Sequence, residues 1–86
     1  QAAAKPDPTP YQVALEKLGL QPQEAIAIED SPSGMRSAVD AGIRTIGITS
    51  TQTPETLKNL GAFMTISDFT DSELWTFLNS QLQVNR

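Results

Sequence analysis

Ala25 to Gly34 reads A-I-A-I-E-D-S-P-S-G, and no other stretch of the chain limits its fold so tightly. Four apolar residues stop at two adjacent carboxylates, Glu29 and Asp30; a serine, a proline, a second serine and a glycine follow. A short unbroken apolar run suits a strand buried on both faces, the situation of a parallel sheet. Ser31 is a natural N-cap, and Pro32 suits the first position of a helix. The acids therefore belong where a buried strand ends and a helix begins. In an open α/β sheet that is the carboxyl edge, where such folds bind their ligands.

The flanking residues extend this reading in both directions. Lys5-Pro6-Asp7-Pro8 cannot continue a helix, because each proline disfavours α geometry in the residue before it. Thr9 is then expected to cap a helix, with Pro10 at its first position and Gln12 completing a capping box. Tyr11, Ala14, Leu15 and Leu18 form one apolar stripe at helical spacing, and Gly19 ends it. The central strand is expected over about Ala25 to Ile28. A helix from Pro32 to about Ala41 follows, with Met35, Ala38 and Val39 on its apolar face and Gly42 after it. Ile46 and Ile48 indicate a strand near Thr45 to Ile48. Thr53-Pro54 opens a short helix carrying Leu57 and Leu60, closed by Gly61. Ala62 to Ile66 reads as a third strand. Thr70 to Glu73 reads as a second capping box, before a helix that buries Leu74, Phe77, Leu78 and Leu82. Trp75 within that helix is a flank or core residue, and its N–H needs a partner if buried. Residues 83–86 are expected to fray.

The order α-β-α-β-α-β-α implies an α/β, Rossmann-like three-layer fold, about three parallel strands with helices on both faces. Three strands make a thin sheet for such a fold. The 86 residues suffice for one small domain of modest stability. There is no cysteine and no histidine, which excludes disulfides, thiolate metal sites and histidine-based triads. A formal charge of −4 argues against a nucleic-acid or anionic-membrane surface. No apolar run approaches the roughly 20 residues of a membrane span, and no signal-peptide pattern opens the sequence. A cytoplasmic protein is the expectation.

Glu29 and Asp30 are the foremost candidates for chemistry. Adjacent carboxylates repel one another unless a cation sits between them. Hard oxygen ligands in an open crevice suit Mg²⁺, which keeps waters or a substrate phosphate as its other ligands. Spacing alone leaves a plainer alternative open, in which Glu29 is a solvated strand-end residue and Asp30 merely caps the helix. Ser31, Ser33 and Gly34 offer backbone N–H groups at a helix start, an anion site or simply a cap. Lys5, taken alone, reads as a surface charge.

Taken together, Lys5-Pro6-Asp7-Pro8, a helix, and Ile28-Glu29-Asp30-Ser31-Pro32-Ser33-Gly34 resemble the haloacid dehalogenase superfamily, particularly its β-phosphoglucomutase-like phosphatases. The resemblance runs from Lys5 to about Leu78. It implies a Mg²⁺-dependent phosphoryl-transfer enzyme acting on small phosphate esters such as sugar phosphates, through an aspartyl-phosphate. It implies that Lys5 is the catalytic lysine that meets the transferring phosphoryl group, that Asp30 is a metal ligand, and that Glu29 is a ligand or its supporting partner. Ser31 resembles the serine that orients the loop and adjoins phosphate, and the bond after Lys5 is expected to be cis. The family's Asp-x-Asp motif occurs nowhere in these residues, nor does its upstream serine or threonine, nor its substrate-selecting cap. The chain therefore resembles the C-terminal half of a catalytic core over residues 1–86, with a lysine loop at 1–8, the α/β body at 9–82 and a tail at 83–86. It is expected to be inactive without the missing N-terminal core and cap, and Lys5, Glu29 and Asp30 are expected to converge.

Two other readings remain. A non-enzymatic fragment could pair with a second copy through its open strand edge, giving a homodimer. A phospho-receiver module shares the apolar run ending in acids, but needs an acceptor aspartate after a later strand. Thr49 and Ser50 stand there instead, and the lysine lies upstream rather than downstream.

Overall fold

In the computed structural model, which describes residues 7–82, the chain alternates helices and strands in the expected order. Helix α1 spans Thr9–Leu18, strand β1 Ile26–Glu29, helix α2 Pro32–Asp40 and strand β2 Arg44–Ile48. Helix α3 spans Pro54–Asn59, strand β3 Met64–Ile66 and helix α4 Ser72–Leu82. The three strands are parallel in the order β1-β2-β3, with Glu29 opposite Gly47 and Ile48 opposite Ile66. Lys5, the Lys5–Pro6 bond, residues 83–86 and the side chain of Leu82 lie outside what is described.

Alternation along the strands divides the core into two layers. Ala27 packs with Leu15 of α1 and Ala38 of α2, while Leu57 of α3 joins Met35 of α2 and Ala62 on the same side of the sheet. Ile46 and Ile66 point the other way, onto Leu74 of α4, with Ile26, Ile28, Ile48, Met64 and Leu78 around them. The expected apolar face of α2 is therefore confirmed. Residues Ala14 and Leu18 do not join the stripe of α1: Ala14 is exposed and Leu18 is 70% exposed. Among the described residues the helix joins the apolar core through Tyr11 and Leu15, and Leu20 beyond its end adds to the same cluster. Trp75 flanks the core, and its indole N–H donates to the carbonyl of Phe69 at 2.6 Å.

At Ser31-Pro32 and Thr53-Pro54 the helix starts are as read. The Ser31 oxygen accepts from the Gly34 N–H at 3.0 Å, and that of Thr53 from the Thr56 N–H at 3.1 Å. Thr9 and Thr70 depart from expectation, for one shared reason. Each follows an aspartate by two residues, and that aspartate takes the threonine's own N–H: Asp7 that of Thr9 at 2.9 Å, Asp68 that of Thr70 at 2.8 Å. Such an Asx turn competes directly with capping. Thr9 is thereby drawn into α1, and Asp71 caps α4 instead, accepting from the Glu73 N–H at 2.8 Å. Helix α1 ends at Gly19 with φ 70° and Gly42 follows α2 with φ 84°, a left-handed backbone that glycine adopts without penalty. Pro22 opens a short 3₁₀ turn through Glu24, and the first strand starts one residue later than expected. The third strand is shorter than read, because the Ala62 N–H is spent on the Leu57 carbonyl at the end of α3. Among the described residues no helix is long and apolar enough to cross a membrane.

Candidate functional site

Glu29 is the last residue of β1, held in the ladder opposite Gly47, and its side chain leaves on the α1–α2 side of the sheet. Helix α1 precedes a strand that the chain must enter from the opposite end, so the first turn of α1 lies beside the carboxyl end of β1. There the Tyr11 hydroxyl donates to Oε2 of Glu29. The other oxygen, Oε1, rests against Gly34 in the first turn of α2. A Cβ added to Gly34 would fall 2.7 Å from Cδ of Glu29. The unpaired amides of a helix start carry partial positive charge, which favours a carboxylate at this position. Burial of the ring raises the Tyr11 phenol well above its ordinary range, and the hydrogen bond to Glu29 and the charge of that carboxylate push the same way.

Asp30 is exposed and turns to different partners. The Ser50 hydroxyl donates to its Oδ2 at 3.4 Å, and the Thr51 hydroxyl to its backbone carbonyl at 3.1 Å. Ser50 and Thr51 follow β2, so the loop after one strand braces the acid after its neighbour. The two carboxylates thus share the carboxyl rim but not their hydrogen-bond partners.

Ser31 sits between them and the helix. Its oxygen accepts in capping α2, and its O–H donates to no group among the described residues. Asp7 also reaches this end of the molecule: its N–H donates to Ser37 Oγ of α2 at 3.1 Å. Lys5, two residues earlier, lies outside the described residues. The residues that sequence reasoning missed are Tyr11, Gly34 as a cradle, and the Ser50–Thr51 brace. Only Tyr11 had a readable signal. A tyrosine in the first turn of a helix packed beside a parallel strand must place its polar tip near that strand's carboxyl end.

Chemically, the described side chains at the rim offer carboxylate and hydroxyl oxygens, the set suited to a hard divalent ion. Among the described residues no group of three or more Asp, Glu, His or Cys comes together; Glu29 and Asp30 are the two carboxylates at the carboxyl end of β1. Mg²⁺ is commonly bound by one or two carboxylates with phosphate oxygens, so the donor set fits.

Comparison with known proteins agrees with this architecture. The sequence is 43% identical over 53 residues to validoxylamine A 7′-phosphate phosphatase of Streptomyces hygroscopicus subsp. limoneus, covering 62% of this chain and 25% of that protein. It is 31% identical over 74 residues to phosphoglycolate phosphatase of Rhodospirillum rubrum, covering 86% of this chain and 31% of the relative. The chain therefore spans a third or less of the length of these relatives. The fold superimposes on a hydrolase of the same superfamily from Deinococcus radiodurans, solved with phosphate and sodium, with a TM-score of 0.75 at 28% identity. That match covers 90% of this chain and 35% of the other. For CbbY of Rhodobacter sphaeroides in complex with phosphate the TM-score is 0.68 at 35% identity, covering 83% and 31%. The family described as haloacid dehalogenase-like hydrolases matches residues 1–48, which include both acids and the whole of α1, β1 and α2. With the parallel sheet, the acidic rim and this match in agreement, the chain belongs to the haloacid dehalogenase-like hydrolase family.

Proposed function

We propose that these residues form the C-terminal part of the catalytic core of a Mg²⁺-dependent phosphatase or phosphomutase acting on small phosphate esters of the sugar-phosphate kind. The observation that carries the reading is the position of Glu29 and Asp30 at the carboxyl rim of a parallel sheet, with the Asp30 carboxylate exposed beside Ser50. Relatives whose names specify phosphorylated small molecules support the substrate class.

In this reading Asp30 and Glu29 hold the cation. Mg²⁺, when bound, supplies positive charge that steadies the phosphoryl oxygens as charge builds on them. Lys5 brings a second positive charge to the same oxygens, and the O–H of Ser31 donates to the phosphate. The aspartate that attacks phosphorus and becomes an aspartyl-phosphate belongs to residues outside this sequence. Without it, Lys5, Glu29 and Asp30 neutralise charge but provide no acceptor for the phosphoryl group.

The test is a phosphate-release assay on the purified 86-residue chain, with sugar phosphates and phosphoglycolate in millimolar Mg²⁺. No release above a buffer blank is expected, and release should appear when the segment carrying an Asp-x-Asp strand is supplied. Turnover by the chain unaided sinks the reading, as does restored activity that survives Asp30→Asn undiminished.

A further inference from the structure

One oxygen of Glu29 is hydrogen-bonded and the other lies against Gly34. Tyr11 is half-buried in the first turn of α1, one turn from Leu15, which is fixed in the core. Its hydroxyl donates to Oε2. Gly34 lies in the first turn of α2, held there by the Ser31 cap, and its lack of a side chain is what leaves room for Oε1. The Glu29 backbone is itself paired to β2. A carboxylate anchored at its backbone, at one oxygen and along one side has lost most of its rotational freedom before any ligand arrives.

We propose that Tyr11 is a positioning residue for the acidic pair: its O–H, working against the open Cα of Gly34, holds the Glu29 carboxylate in one orientation. A divalent cation gathered by Asp30 then meets an acid already set in place. The inference rests on the reading of Glu29 and Asp30 as the cation-holding pair. It assigns a role to α1, a helix that otherwise contributes only packing. A hydrogen bond from a neighbour that orients a metal-binding side chain is commonly worth 10- to 100-fold in metal affinity.

The experiment uses Mn²⁺ as probe, an ion that favours the same carboxylate ligands and broadens nearby NMR signals even at weak occupancy. The 86-residue chain is compared with its Tyr11→Phe and Asp30→Asn variants. In the parent chain the amides from Glu29 to Gly34 should broaden first, and Asp30→Asn should abolish this. In Tyr11→Phe the same broadening should need about tenfold more Mn²⁺. The Glu29 carboxyl carbon should also shift in Tyr11→Phe without any metal, a change that mere loosening of the core would not confine to that residue.

Equal Mn²⁺ response in the parent and in Tyr11→Phe overturns the role of Tyr11 and leaves the reading of the acids intact. No localised response in the parent chain, or one indifferent to Asp30→Asn, overturns the reading itself and the role of Tyr11 with it. Should Tyr11→Phe unfold, Gly34→Ala displaces the same carboxylate from the opposite side while keeping the phenol. An undiminished Mn²⁺ response in that variant also overturns the proposal.

Discussion

Two glycines show how differently one added methyl group is received. At Gly34 the new Cβ would meet the far end of the Glu29 side chain, which can give way at the expense of its bond to Tyr11. At Gly47 it would lie 2.9 Å from both Cβ and Cδ1 of Leu57, a fully buried residue whose Cβ cannot move without its helix. Gly34→Ala should therefore change stability by no more than about 1 kcal/mol, since alanine's better helix propensity offsets the lost contact. Gly47→Ala should cost about 1–3 kcal/mol, as overpacked cores do. Urea denaturation of the two variants checks the contrast; equal losses would show that the Glu29 seat is as rigid as the core. Single residues were also where the sequence was hardest to read. Glu29 and Asp30 stood out as a pair, but nothing in their spacing told that one would face Tyr11 and the other Ser50. That divergence follows from strand alternation and from which loops meet at the rim, which no local pattern encodes.

At the level of elements the order of helices and strands was legible throughout, because each apolar run was bounded by glycine, proline or a cap. Ser31-Pro32 and Thr53-Pro54 marked their helices correctly. Thr9 and Thr70 did not, since an aspartate two residues upstream of each had first claim on its amide. The rule that separates the two cases is physical: an ionised oxygen accepts more strongly than a hydroxyl. It also yields a pH dependence. Asp68 is held below the ordinary carboxylate range, chiefly by the hydroxyl of Thr70 and then by its backbone N–H. A depressed carboxyl stabilises the folded form above the unfolded pKa of about 3.9, and that contribution disappears as the pH falls through the folded value. The turn before α4 should thus loosen below about pH 4, ahead of the sheet, and Asp68→Asn should remove the pH response. Amide exchange at Thr70, followed between pH 6 and 3, measures it; protection that stays flat would rule the turn out as acid-sensitive.

For the whole molecule the thin sheet was correctly anticipated, and its consequence is unequal cover. One face of the sheet is packed by α1, α2 and α3, the other by α4 alone, and Ile26 and Ile28 on that second face remain only partly buried. Among the described residues β1 has a neighbour on one side only. Unpaired strand edges next to apolar surface invite other chains. Sedimentation velocity on the 86-residue chain should accordingly show a coefficient that rises with concentration; a strict monomer up to high micromolar concentration would count against an accessible edge.

The same edge governs how the acidic rim grows. Glu29 terminates β1, so any polypeptide that zips onto that strand in parallel delivers its own terminal side chains about one strand spacing, roughly 4.8 Å, from the carboxylate. Recruiting a neighbour and furnishing the crevice become a single event. The outward row of amides and carbonyls on β1 works as a ruler, setting at what height the incoming residue stands.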